Sequence, residues 1–158
     1  MSRTRAVVTL REAGREAVRE TGAIMQAAFD PAFGEAWTEG QLLGQLIGPA
    51  TRLTLAHVER SAVGFSLVRT VVDEAELLLI ATHPAARGRG VGGALLDAAI
   101  DDAARDGATA IFLEVRRGNP AERLYAARGF HCVGERPAYY RGANGQLSDA
   151  RTFRRQLS

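Results

Sequence analysis

Apolar positions along the chain switch between a spacing of two and a spacing of three to four, and each switch marks an element boundary. Ala6 to Leu10 reads as a first strand. Arg15 to Phe29 reads as a helix with Ile24, Met25 and Ala28 on one apolar face, closed by Pro31. Thr38 is suited to cap a short helix through Ile47, which Gly48 and Pro49 stop. Arg52 to Val58 and Val63 to Arg69 alternate as a hairpin turning at Glu59 to Ala62, and Glu76 to Thr82 is the next strand. From Val91 the period is helical through Ala94, Leu95, Ala98, Ala99 and Asp102, with Gly107 as the stop. Thr109 to Val115 is β-rich, and Asn119 with Pro120 forms the cap and first position of another helix that Gly129 ends. Phe130 to Val133 and Ala150 to Gln156 complete the strands.

Strands that first follow one another and are later separated by helices predict an α/β fold, a mixed sheet with helices on its faces. No composition break divides the chain, so residues 1–158 are expected to form one domain, long enough at 46% hydrophobic residues for a single well-buried core. Twenty basic residues, arginine in place of lysine, against 18 acidic ones leave a net charge of +2, too little to imply nucleic-acid binding. The lone cysteine, Cys132, excludes an internal disulfide and is expected to be a small core residue. No window approaches the roughly 18 apolar residues of a membrane span. The N-terminal apolar patch is broken at Arg11 and Glu12, so no secretory signal is expected and the cytoplasm is the default location.

The stretch RGRGVGGALL, residues 87–96, concentrates glycine where a helix begins. A strand, a glycine-rich loop and a helix start gather free backbone N–H groups at the positive end of a helix dipole, which suits an anion such as phosphate. Gly88, Gly90 and Gly92 let the main chain approach closely, and Arg87 and Arg89 add charge. A nucleotide P-loop is excluded, because Gly92 is followed by Gly93 and Ala94 where Lys and Ser or Thr are needed. A dinucleotide fingerprint on Gly88, Gly90 and Gly93 would open a series of βαβ units, and the preceding meander does not fit it. A merely flexible turn is the remaining reading.

The run Arg87-Gly88-Arg89-Gly90-Val91-Gly92 resembles the R/Q-x-x-G-x-G/A signature of the GNAT superfamily of N-acetyltransferases. FLEVRRGNPAERLYAARGF, residues 112–130, resembles that family's companion motif, and the likeness extends over nearly the whole chain. Within the superfamily the chain is most similar to the bacterial ribosomal-protein alanine N-acetyltransferases, the RimI type, through FGEAWTEGQL, DEAELLLIATHP, LEV and YY. The resemblance implies a mostly antiparallel sheet of about seven strands, splayed into an acetyl-CoA cleft. It also implies direct attack on acetyl-CoA by an amine, with no covalent enzyme intermediate.

That reaction needs the amine deprotonated, the thioester oxygen stabilised and the leaving thiolate protonated. A peptide α-amine, with a pKa near ~8, asks only for a modest base. By resemblance Glu114 is that base and Tyr125 the general acid. The rival readings are a strand-end carboxylate paired with Arg116 or Arg117 and an aromatic packed in the core. Backbone N–H groups around Ile80, Ala81 and Thr82, beside a bulge in the family's strand, would hold the oxygen and the pantetheine arm. Arg87, Gly88, Arg89, Gly90, Val91 and Gly92 would hold the pyrophosphate. Asn119 is either a cofactor contact or a plain helix cap, and its interval to Tyr125 is one residue shorter than in relatives. Glu35, Trp37, Tyr139 and Tyr140 would line a groove for the acceptor.

The acceptor is expected to be a protein N-terminus, alanine first, with a small-molecule amine as the alternative. A non-catalytic acyl-CoA-binding or RNA-associated module is the non-enzymatic rival. No membrane or direct nucleic-acid partner is expected, and monomer and homodimer are both open. His57 and His131 have no second ligand at metal spacing, so no metal is expected.

Overall fold

The computed structural model describes residues 7–157, so Ala6, the start of the first predicted strand, lies outside the described residues. In chain order the elements are β1 (Val8–Ala13), α1 (Val18–Ala28), α2 (Glu39–Leu46), β2 (Thr51–Val58), β3 (Ser61–Val71), β4 (Glu74–Thr82), α3 (Val91–Arg105), β5 (Ala110–Arg116), α4 (Ala121–Ala127), β6 (His131–Arg141) and β7 (Leu147–Gln156). The seven strands form one sheet in the order β1-β2-β3-β4-β5-β7-β6. Only the β4–β5 pair is parallel, bridged by α3 as a parallel pair requires.

Helices cover both faces. Ile24 and Met25 of α1 and Leu42 of α2 pack on Leu53, Leu55, Phe65 and Leu67. On the opposite face, Leu96, Ala99 and Ile100 of α3 and Tyr125 of α4 pack on Leu77, Ile111, Leu113 and Phe153. Thr38 caps α2 as expected, accepting from Gln41 N while the Gln41 side chain returns to the Thr38 N–H, a reciprocal pair that satisfies two orphan donors.

Several boundaries differ from expectation, each for a physical reason. β1 runs on through Arg11 and Glu12, because it is an edge strand whose outward side chains stay in water. α1 proper begins at Val18, after a single 3-10 turn at Arg15–Ala17. β6 extends to Arg141 although Gly134 and Pro137 break its pattern. It is the opposite edge strand, and Pro137 falls in a bulge between Arg136 and Tyr140 where no ladder bond is lost. Cys132 lies on that edge and is exposed, not a core residue. α4 starts one residue late: Pro120 occupies the cap position, and the Asn119 side chain accepts from Ala121 N at 2.9 Å.

One irregularity determines the rest. In the β3–β4 pair, Leu67 faces Leu79 but Val68 faces Leu77, which leaves Leu78 as an extra residue. The bulge inverts the strand's alternation, so Leu77 packs on the α3 face and Leu79 on the α1 face. β4 and β5 pair only from Glu74 with Ala110 to Leu77 with Leu113. Beyond the bulge the two strands separate and the sheet opens.

Candidate active site

The opening is a cleft of about 510 Å³ that passes through the plane of the sheet. Its β4 wall runs from Glu76 to Thr82. His83 N donates to Val63 O at 2.7 Å, so by strand alternation the N–H groups of Ile80 and Thr82 turn the other way, toward the gap. Ala81 lines the cleft too, with its methyl in the core beneath α1.

At one end of the cleft the chain turns through residues 87–92 into α3. Gly88 and Gly90 have φ of 79° and 83°, the left-handed region that glycine enters without strain. No side chain caps α3 and its first turn carries no acid, so the first N–H groups of the helix are open to a ligand. A Cβ at Gly88 or Gly90 would meet nothing within 4 Å, which leaves an open cradle above the helix start. Cradle and gap together fit an elongated ligand with an anionic end. Arg87 and Gly92 line the cleft itself, whereas Gly88, Arg89 and Gly90 form the exposed outer turn. Val91 is buried against Leu95 and Ala56, so only its backbone can serve the cradle. The Arg87 guanidinium donates to Ala28 O at 3.1 Å and ties this loop to the C-terminus of α1.

Two kinds of proton-handling group reach the cleft from opposite faces. β5 alternates, with Ile111, Leu113 and Val115 in the core beneath α3 and Glu114 and Arg116 on the other face. Tyr125 comes from the α3 side, 5% exposed, packed on Phe130 and Phe153 at ring-centroid distances of 6.0 and 6.2 Å. Burial, and after it the nearby Glu35 charge, push its phenol well above the usual tyrosine range, so it stays protonated. The ring is a packed core aromatic and the side chain also lines the cleft.

Glu114 does not pair with Arg116 or Arg117. Its carboxylate forms an ion pair with Arg136 of β6, Oε1 lying 3.0 Å from Nε. Arg116 instead donates to Glu35 Oε1 at 3.1 Å and lies over the Phe33 ring at 3.6 Å. Asn119 Nδ2 donates to Glu35 Oε2 at 3.2 Å, so the Asn119 amide caps α4 with one end and holds Glu35 with the other. The loop carrying Phe33, Glu35 and Trp37 is clamped to the β6–β7 turn. Ala143 N donates to Pro31 O at 2.9 Å, and a side chain at Gly34 or Gly142 would overlap the opposing backbone.

Tyr139 and Tyr140 stand edge to face with centroids 5.0 Å apart. The bulge before them puts Ala138 at φ 54°, with its N–H on Asp149 Oδ1 at 2.9 Å, and brings both rings to the cleft. The nearby Glu114 charge, and after it burial, raise the Tyr139 phenol above its ordinary range. Burial first, then the Glu35 and Glu114 charges, raise Tyr140 well beyond its ordinary range. Arg116 was legible as a cleft residue, because it is two positions from Glu114 on one strand face. Arg136 was not, since it comes from a strand next to β7 and not next to β5.

Residues 17–130 match the acetyltransferase (GNAT) family. The chain is 37% identical over 99 residues, 62% of its length and 68% of the relative's, to the ribosomal protein bS18-alanine N-acetyltransferase of Haemophilus influenzae. The enzyme of the same name from Haemophilus ducreyi is 33% identical over 103 residues, 64% of this chain and 71% of the relative. Among solved structures, the ribosomal-protein-S18-alanine N-acetyltransferase of Escherichia coli superposes with a TM-score of 0.86 at 28% identity, covering 96% of this chain and 95% of that one.

Proposed function

The chain belongs to the acetyltransferase (GNAT) family and is an N-acetyltransferase, and on that premise we propose that it transfers the acetyl group of acetyl-CoA to the α-amine of a protein N-terminus, alanine first. The observation that carries this reading is the cleft through the sheet, which has a buried phenol on one face and a carboxylate with two tyrosines on the other. Direct transfer needs both reactants present at once, and a cleft lined by residues from both faces of the sheet supports it.

When bound, acetyl-CoA supplies an activated acyl group on a thiol leaving group. In the proposed arrangement the uncapped N–H groups of α3 and the glycine turn of residues 87–92 hold the phosphates. The Ile80 and Thr82 N–H groups line the gap where the pantetheine arm and the thioester oxygen would lie. Glu114 takes the amine proton, directly or through a water. An α-amine with a pKa near ~8 is already partly deprotonated at neutral pH, so positioning matters more than strong basicity. Tyr125, kept protonated by burial, gives its proton to the departing sulfur.

Glu35, Trp37, Tyr139 and Tyr140 form the acceptor side. Arg136 pairs with the Glu114 carboxylate, which lies near Tyr139 in that groove, a setting that orients a charged amine entering from it.

The test is CoA release from acetyl-CoA with three acceptors: a peptide beginning with Ala, the same peptide N-terminally blocked with an internal Lys, and a pool of small amines. Turnover with the free Ala peptide alone is expected. Turnover only with small amines would overturn the N-terminal reading.

A further inference from the structure

Arg128, the C-cap residue of α4, lays its side chain against the first turns of α3. A Cβ at Gly93 would come within 2.5 Å of Arg128 Nη2, so the guanidinium occupies the space a side chain at 93 would take. Arg128 Nε donates to Asp97 Oδ1 at 2.7 Å. Asp97 is one turn beyond Gly93 on the same helix face, so the guanidinium lies along α3 with Nη2 at the end nearer the cradle. Among the described residues the Arg128 side chain makes no other hydrogen bond.

This placement is electrostatically unfavourable as it stands. The first turn of α3 is uncapped and carries no acid, and Arg87 and Arg89 precede it. A further cation held three-quarters buried against the positive end of a helix is repelled unless an anion sits there too. Asp97 offsets only part of that repulsion, being 60% exposed and past the first turn. A glycine at 93, inside a helix, also costs stability that alanine would not. Both costs are met at once by a bound phosphate. Arg128 does not line the cleft at the acyl end, so the phosphate belongs to the nucleotide end of the donor.

We infer that Arg128 is a phosphate-binding residue, laid over Gly93 to meet the nucleotide-end phosphates of the donor together with the uncapped start of α3. The inference rests on the reading of acetyl-CoA as donor and adds a residue outside the glycine loop to its binding.

The test compares dissociation constants of the full chain and its Arg128→Gln, Arg128→Lys and Gly93→Ala variants for three donors: acetyl-CoA, acetyl-3′-dephospho-CoA and acetyl-pantetheine. Arg128→Gln is expected to weaken acetyl-CoA binding about tenfold or more, since a charge-assisted bond is lost. Arg128→Lys should recover part of the loss, and Gly93→Ala should reproduce it by displacing the guanidinium. Acetyl-pantetheine binding should be unchanged in all of them. Loss that disappears with the dephospho donor assigns the 3′-phosphate, and loss that persists assigns the pyrophosphate. Unchanged acetyl-CoA affinity in Arg128→Gln, or an equal loss toward acetyl-pantetheine, overturns the inference. If the wild-type chain itself binds acetyl-CoA no better than acetyl-pantetheine, the donor reading fails first and this inference falls with it.

Discussion

Arg116 and Glu35, 81 residues apart in the chain, form an ion pair at 3.1 Å whose side chains are 13% and 11% exposed. The pair fixes the loop of Phe33, Glu35 and Trp37 to the end of β5, and the guanidinium also covers the Phe33 ring. Removing one partner of a largely desolvated pair leaves the other uncompensated. Arg116→Ala is therefore expected to cost about 2–3 kcal/mol, read as a fall in Tm of roughly 5–10 °C in thermal denaturation. It should also raise KM for the acceptor peptide more than KM for the donor, because the loop borders the proposed acceptor groove. Arg116→Lys should recover little, since an ammonium neither forks onto Glu35 nor stacks on Phe33.

Tyr125 and Glu114 are expected to separate chemistry from binding. Tyr125→Phe keeps the ring in its aromatic packing and removes only the hydroxyl, so kcat should fall about 100-fold or more while the donor dissociation constant stays within about twofold. Glu114→Gln should act likewise on kcat, with the donor again bound normally. Steady-state kinetics alongside calorimetric titration of the donor decide it: equal losses of turnover and of donor affinity would mean that these side chains are structural.

The parts of this site that were legible in the sequence are those held within one short segment. The glycine turn and the start of α3 are read directly from residues 87–92, because a left-handed turn and an uncapped helix are local properties. The capping box at Thr38 is local in the same way. The opposite facing of Leu77 and Leu79 was not legible, because a bulge is fixed by the partner strand's register and the alternation read from β4 alone runs through it. The pairing of Glu114 with Arg136 was hidden for a related reason. It depends on β6 lying beyond β7 in the sheet, an order that no hydrophobic period encodes. Cys132 was misread because an edge strand looks like an interior one wherever its residues are small and apolar.

The buried phenol gives the protein a definite alkaline limit. Burial holds the folded-state pKa of Tyr125 above its ordinary value of 10.0, so the folded chain keeps this proton where the unfolded chain releases it. The contribution is complete below pH ~10 and is lost as pH rises beyond it, at up to about 1.4 kcal/mol per pH unit for one such group. Wild-type Tm should therefore fall between pH 9 and 11 more steeply than that of Tyr125→Phe. Parallel slopes in the two proteins would show that the phenol titrates freely in the folded state.

Gly64 tests the link between the sheet and the cradle. It lies on β3 opposite Thr82, directly under the start of α3. A Cβ there would stand 2.8 Å from Val91 Cγ1, 3.0 Å from Ala81 O and 3.1 Å from Leu95 Cδ1. Two of these neighbours belong to the first turns of α3 and the third is backbone of the strand that lines the gap. Val91 and Leu95 are fully buried and have no free space to turn into, so α3 has to move away from the sheet. Gly64→Ala is expected to cost about 1–3 kcal/mol from overpacking alone. Because Val91 opens α3, the same displacement shifts the N–H groups of the cradle, and donor binding should weaken with stability. Gly44, whose Cβ would meet nothing within 4 Å in the middle of α2, is the control. Gly44→Ala should raise Tm and leave donor affinity unchanged. Denaturation and donor titration of both variants decide the matter: if Gly64→Ala binds the donor as the wild type does, the cradle does not depend on how α3 seats on β3.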